Sequence, residues 1–177
     1  KRKNMLKNSK VITTLMSNIS FEKYINDLGL ELIRTNVGDR NVINKMLETG
    51  SNIGGEQSGH IILSDYSKSG DGLLSAVQIL DILTSSEKSS SELFNLYNPV
   101  PQIQKNIEVQ DKEKSFNSNI NLHKFISSFN KSNNQSRLLI RPSGTESIIR
   151  ILVEGSNINE IQNISLEAEK LIKVENV

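Results

Sequence analysis

Cysteine is absent from the 177 residues, so the chain can form neither a disulfide framework nor a thiolate metal site. That suits a reducing cytoplasm, which is the expected location. No apolar run approaches the ~20 residues that a membrane-spanning helix needs, and no stretch has the make-up of a secretory signal peptide. The expectation is a soluble protein with no membrane partner. An excess of one charge is missing too: 21 Lys and Arg stand against 20 Asp and Glu, a net of +1. No whole-surface field therefore favours nucleic acid, and no such partner is expected. The one basic cluster, residues 1–10, reads either as a nucleic-acid arm or as the solvated approach to a first strand. Proline is scarce, at three residues, so each one punctuates.

The length fits one large domain or two small ones. Val11–Leu15 is a β-branched apolar run, the mark of a buried parallel strand. Phe21, Ile25 and Leu28 recur at helical spacing up to Gly29, and Glu31–Arg34 reads as a second strand. Asn41–Leu47 reads as a helix with Val42, Ile43, Met46 and Leu47 on one face and Gly50 beyond its end. Ile53 and Ile61–Leu63 read as short strands around a polar loop. Leu73, Ala76 or Val77, Leu80 and Leu83 make the core stripe of the best helix, and Ser89 with Glu92 forms a capping box.

Strands alternating with helices predict an α/β layer of parallel type over residues 1–99. After Pro99 and Pro101 the pattern changes. Gln102–Val109 reads as an edge strand, and Leu122, Phe125, Ile126 and Phe129 as a helix before an Asn-rich break at Asn130–Asn134. Asn157 with Glu160 opens a last helix carrying Ile158, Ile161, Ala168, Leu171 and Ile172. Residues 100–177 are therefore predicted to be a small α+β domain, an antiparallel sheet with two helices on one face.

The most informative stretch is residues 137–155, two apolar runs around Arg141-Pro142-Ser143-Gly144-Thr145-Glu146. A guanidinium fork, two hydroxyls and a glycine in one loop suit a phosphate dianion. Pro142 stiffens that loop before binding. The same residues also fit an ordinary polar hairpin loop. Arg150 reads as structural, a partner for Glu154, and His123 on its helix likewise.

Upstream lie Leu15-Met16-Ser17-Asn18, Val37-Gly38-Asp39-Arg40, Gly54-Gly55-Glu56-Gln57-Ser58-Gly59-His60, Gly70-Asp71-Gly72 and Pro99-Val100-Pro101-Gln102. Taken in this order with Arg-Pro-Ser-Gly-Thr-Glu, the set resembles the α-D-phosphohexomutases, a superfamily that includes phosphoglucomutase, phosphomannomutase and phosphoglucosamine mutase. The short connection Ser64–Gly72 is similar to the phosphoglucosamine mutase branch. Ser147 departs from the family, which usually has proline there.

The resemblance implies a C-terminal half: most of the third domain, short at its N-terminus, and the whole fourth domain of a four-domain enzyme. It implies that Arg141, Ser143, Gly144 and Thr145 grip the phosphate that is not transferred, and that Glu56 and Ser58 contact two adjacent sugar hydroxyls. Two residues apart on an extended loop, those side chains share a side. His60, two past Ser58, shares it too. It stands where related enzymes have a candidate general acid–base, and an ordinary pKa near ~6.5 suits that task. Gly54, Gly55 and Gly59 would let the backbone approach the ring. Arg40 is a candidate second phosphate contact, though Asp39-Arg40 equally fits a helix cap with a surface arginine.

The family's phosphoserine and its magnesium loop belong to earlier domains, so no metal site is expected in this chain. Mg2+ and a hexose 1,6-bisphosphate intermediate (glucose or glucosamine) are implied for the full-length enzyme. So are the missing N-terminal domains as partners, and a homodimer is allowed. The implied reaction interconverts glucosamine 6-phosphate and glucosamine 1-phosphate, feeding UDP-N-acetylglucosamine and cell-wall precursors. Phosphomannomutase or phosphoglucomutase activity, or phosphosugar binding without catalysis, are the alternatives.

Overall fold

The computed structural model describes residues 5–132 and 135–174. The chain separates into two compact units, Lys1–Pro99 and Val100–Val177. Residues 1–4 of the basic cluster and Asn133 and Asn134 of the Asn-rich break lie outside the described residues.

In unit one, β1 (Lys10–Thr14), β2 (Glu31–Thr35), β3 (Ile53–Gly55) and β4 (Ile61–Leu63) form a sheet in the order β2-β1-β3-β4. β1 runs parallel to β2 and β3, and β4 returns antiparallel to β3 through a five-residue loop. Such a short connection permits only an antiparallel return. The helices are α1 (Ile19–Asp27), α2 (Asp39–Thr49), α3 (Gly72–Thr84) and α4 (Ser90–Phe94). On β1, Val11 packs with Ile25 of α1 and Leu32, while Ile12 packs with Val42 and Met46 of α2 and with Ile62. A strand covered on both faces reads as one unbroken apolar run, which is why its sequence shows no alternation.

The helix ends follow from side-chain chemistry. Asn18 Oδ1 accepts the Ser20 N–H at 3.0 Å and opens α1. Gly50, in the left-handed region at φ 70°, closes α2. Asp71 caps α3, and the expected capping box of Ser89 and Glu92 opens α4. Tyr97 then returns to α1, its ring 5.6 Å from Phe21 and 5.9 Å from Tyr24.

Two expectations fail here. Leu47 is 77% exposed, because it follows Met46 by one residue and so points about 100° away around the helix. The stripe on α3 is not core: Leu73 is 79% exposed, and Val77 and Leu80 are also open to solvent. Ser75 is the residue of α3 that is buried. The apolar spacing correctly marks a helix, but the described residues leave that face uncovered.

In unit two, β5 (Gln102–Glu108), β6 (Ser136–Pro142) and β7 (Ile148–Gly155) form an antiparallel sheet in the order β5-β7-β6, with β5 at an edge. α5 (Ile120–Ser132) and α6 (Ile158–Val174) supply the helical layer, preceded by a π-helical turn at Glu113–Asn117 that the sequence pattern does not reveal. α5 runs on through Asn130 to Ser132, into the expected break. Ile149, Ile151 and Val153 of β7 pack with Ile107, Ile140, Leu122 of α5, and Ile161, Ala168 and Ile172 of α6. Asn119 ties the helices, accepting the Leu122 N–H at 2.9 Å and donating to the Leu171 carbonyl at 3.0 Å. Both units thus have the expected α/β character, parallel-type first and antiparallel second.

A Cβ at position 54 would stand 2.6 Å from Met46 Sδ, 2.7 Å from Val42 Cγ1 and 3.1 Å from the Ile12 carbonyl. Gly54→Ala should therefore cost about 1–3 kcal/mol of stability through overpacking, read as a lower urea midpoint. In unit two, hydrogen bonds from Lys105 and then Lys173, each at 2.6 Å, pull the Glu169 carboxyl from 4.5 down to about 2. A depressed folded-state value adds stability that is fully present above the ordinary 4.5 and lost as pH falls toward 2. Glu169→Gln should unfold at lower urea than the parent at pH 6, with the difference vanishing near pH 2.

Candidate functional site

Each unit presents one polar loop on a rigid base. In unit one the loop is Glu56–His60, between β3 and β4. Its backbone closes on itself, with Glu56 N–H to the His60 carbonyl at 2.9 Å and Gly59 N–H to the Glu56 carbonyl at 3.1 Å. Gly59 takes φ 102°, a conformation that favours glycine. Thr13 of β1 supports the loop from below, donating to the Gly55 carbonyl at 3.1 Å.

The three expected side chains meet. Ser58 Oγ lies 3.3 Å from His60 Nδ1, and Glu56 Oε2 lies 3.7 Å from the same nitrogen. The Glu56 side chain is 9% exposed, whereas His60 is 60% exposed. The Ser58 hydroxyl donates to Nδ1 in one imidazole tautomer and accepts from it in the other. The arrangement offers a fixed carboxylate, a hydroxyl and an accessible imidazole, suited to holding vicinal hydroxyls and shuttling a proton.

Two of the glycines beside this loop have a packing reason of their own. Gly54 lies under α2, as its contacts show, and a Cβ at Gly55 would meet the His60 carbonyl at 2.6 Å. Arg40 sits exposed in the first turn of α2, and its backbone N–H donates to Asp39 Oδ1 at 2.7 Å. The helix cap is Gly38, one residue earlier than the cap reading of Asp39. Elsewhere in unit one, between α1 and β2, is a pairing with no sequence signature: the Arg34 guanidinium holds Glu22 at 2.6 Å.

In unit two the loop Ser143–Ser147 joins β6 to β7. Ser143 is buried; its N–H donates to the Ile148 carbonyl at 2.9 Å, and its Oγ accepts the Glu146 N–H at 3.3 Å. Gly144 and Thr145 are exposed at the tip, with open space around Gly144. Arg141 stands directly opposite Arg150 in the β6–β7 register. Burial first, and then the Arg150 charge, push the Arg141 guanidinium below its ordinary value. Lys112 adds a third cation, its Nζ donating to the Ser143 carbonyl at 3.0 Å. No spacing rule connects Lys112 to this loop, and only the fold brings it there.

Arg150 is not the partner of Glu154. It pairs with Glu146, which also lies 3.4 Å from Ser143 Oγ. Four residues along an extended strand span about 13 Å, too far for an ion pair. Glu154 is fully buried and pairs with Arg137, its register neighbour, at 2.7 Å. Like charges facing each other across a sheet are destabilising, and the Glu146 carboxylate on Arg150 offsets part of the Arg141–Arg150 repulsion. Among the described residues no group of three or more His, Asp or Glu could hold a metal ion. No helix among them is long and apolar enough to cross a membrane.

Comparison with known proteins identifies a family. A family model for phosphoglucomutase/phosphomannomutase, alpha/beta/alpha domain III, matches residues 1–100. The model for the C-terminal domain of the same family matches residues 105–171. The phosphoglucosamine mutase of Nautilia profundicola is 52% identical over 111 residues, 63% of this chain and 25% of that protein. That of Fusobacterium nucleatum is 45% identical over 128 residues, 72% of this chain and 28% of that protein.

Among solved structures, Aspergillus fumigatus N-acetylphosphoglucosamine mutase in complex with GlcNAc-6P and magnesium aligns with a TM-score of 0.78 at 18% identity. The alignment covers 98% of this chain and 40% of that one. Another structure of the A. fumigatus enzyme, in complex with glucose 1,6-bisphosphate, aligns with a TM-score of 0.75 at 20% identity, over 95% of this chain and 39% of that one. At such identity the likeness speaks to the fold. The chain spans about a quarter of the length of the curated relatives it matches. With family models covering both of its compact units, the chain belongs to the phosphoglucomutase/phosphomannomutase family of phosphohexomutases.

Proposed function

We propose that the whole protein is a phosphoglucosamine mutase and that this chain supplies its sugar and phosphate recognition. The observation that carries the reading is the loop at Arg141–Thr145, where Arg150 and Lys112 join Arg141 around two hydroxyls. The names of the relatives at 45–52% identity favour glucosamine phosphate among the hexose phosphates. The name of the matching family favours the second reading, phosphoglucomutase or phosphomannomutase. Isolated, the chain is a phosphosugar-binding fragment.

In this reading a hydroxyl of the sugar phosphate attacks the phosphorus of an enzyme phosphoserine. The P–O bond to the serine breaks, and the hydroxyl proton passes to a base. The resulting hexose bisphosphate turns over within the enzyme. Its other phosphate then returns to the serine, leaving the isomeric monophosphate. Glu56 and Ser58 hold two ring hydroxyls, and His60 accepts or returns the proton. Arg141, Ser143, Gly144 and Thr145 bind the phosphate that stays, and Arg40 faces the reacting one. Phosphoryl transfer is mostly positioning and charge neutralisation, which suits a chain rich in donors.

The phosphoserine and a magnesium ion would come from the rest of the protein. The magnesium and the glucose 1,6-bisphosphate in the A. fumigatus complexes support both as features of the family. A loop that binds the retained phosphate holds substrate and transition state alike. Charge-assisted hydrogen bonds are worth about 1.5–3 kcal/mol. Arg141→Ala in the complete enzyme should thus raise KM by roughly tenfold or more with a smaller change in kcat. His60→Gln should lower kcat by more than about tenfold; full turnover would remove it from the mechanism. Assays of the complete enzyme on glucosamine, glucose and mannose phosphates separate the two readings. The isolated 177-residue chain should bind phosphosugar weakly and turn none over.

A further inference from the structure

Glu56 owes its position to a backbone group outside its own loop. The Gly38 N–H donates to Glu56 Oε1 at 3.0 Å, across 18 residues of sequence. Gly38 takes φ 118° and ψ 133°, where side-chain-bearing residues rarely go. Space is not the reason for glycine here, since an added Cβ would meet only Asn41 Nδ2, at an ordinary 3.5 Å. The requirement is directional. The carbonyl of Gly38 accepts the Asn41 and Val42 N–H groups at 3.0 and 3.3 Å and starts α2, while its N–H turns to Glu56.

We propose that Gly38 is a positioning residue for substrate discrimination: its N–H holds one carboxylate oxygen of Glu56 and so fixes the direction in which Oε2 meets a substrate hydroxyl. The proposal rests on Glu56 being a sugar contact. A carboxylate with both oxygens free can rotate and accept hydroxyls over a wide arc. One oxygen clamped by a fixed backbone donor sets the plane of the group and hence the direction from which a hydroxyl is read. Oε2 then lies 3.7 Å from His60 Nδ1, close enough for one hydroxyl beside the pair to contact both. The carboxylate adjacent in sequence to Gly38 is Asp39, whose Oδ1 takes the Arg40 N–H at 2.7 Å.

Two measurements test this. In 1H–15N spectra of the 177-residue chain, the Gly38 amide proton should move downfield as pH rises through the carboxylate range. In Glu56→Gln that movement should disappear. A Gly38 resonance that does not titrate, or that titrates unchanged in Glu56→Gln and so reports Asp39, overturns the clamp whatever the enzyme does. In the complete enzyme, Gly38→Ala should shrink the kcat/KM ratio between the substrate and deoxy analogues that each lack one ring hydroxyl by about tenfold for the hydroxyl that Glu56 reads, the scale of one hydrogen bond. Equal losses on substrate and analogues would show a structural role only, and overturn the discrimination. If Glu56→Ala leaves discrimination intact while Gly38 still titrates in the parent chain, the sugar-contact reading fails and the clamp stands.

Discussion

The close approach of α2 to β3 at Gly54 is the constraint on which the first loop depends. With hydrogen alone at that position, Met46 and Val42 rest directly on the strand backbone. That distance sets the height of α2 over the sheet, and so the place of its first residue. Gly38 can reach Glu56 only because the helix that it opens lies so low. A packing requirement deep in the unit is thus converted into the orientation of a carboxylate at its surface. The same logic explains why a three-residue strand is enough: β3 is pinned between β1 and β4 by its register partners and from above by the helix.

The second loop depends on an opposite principle, tolerated repulsion. Arg141 and Arg150 face one another across the sheet, and Lys112 closes from the start of the π-helical turn. Glu146 offsets part of that charge from the loop's rim. Further along the same two strands, Arg137 and the buried Glu154 form a matched pair, as a charge in an apolar layer requires. The sheet therefore carries a gradient, from neutralised ions in its interior to crowded cations at its tip.

Most of the fold is legible in the sequence because it is periodic. β1 announces itself by an unbroken β-branched run, and α1 and α2 by apolar spacing bounded by Gly29 and Gly50. What fails has common physical causes. Spacing marks which side of α3 is apolar and says nothing of what covers it, so Leu73, Val77 and Leu80 do not follow the expected core stripe. Leu47 is no part of the Met46 face, because one residue is more than a quarter of a turn. A pairing of Arg150 with Glu154 applies helical arithmetic to a strand. Ser58 and His60 can be foreseen as neighbours because they are two residues apart, although a closed turn and not the expected extended loop brings them together. The Gly38–Glu56 bond cannot, because a backbone N–H leaves no signature in a residue's name. Lys112 is invisible for a similar reason: 31 residues separate it from Ser143, and the fold alone sets their distance.

The uncovered ridge on α3 has a practical bearing. Apolar surface of this kind, followed along the chain by the exposed Phe94 and Leu96, gains free energy whenever it leaves water. Excluded salts such as sulfate strengthen that tendency and urea weakens it. Purified at high concentration, the polypeptide should be a poor colloid, quick to cloud in ammonium sulfate and best kept dilute, since a formal charge of only +1 supplies little repulsion between copies.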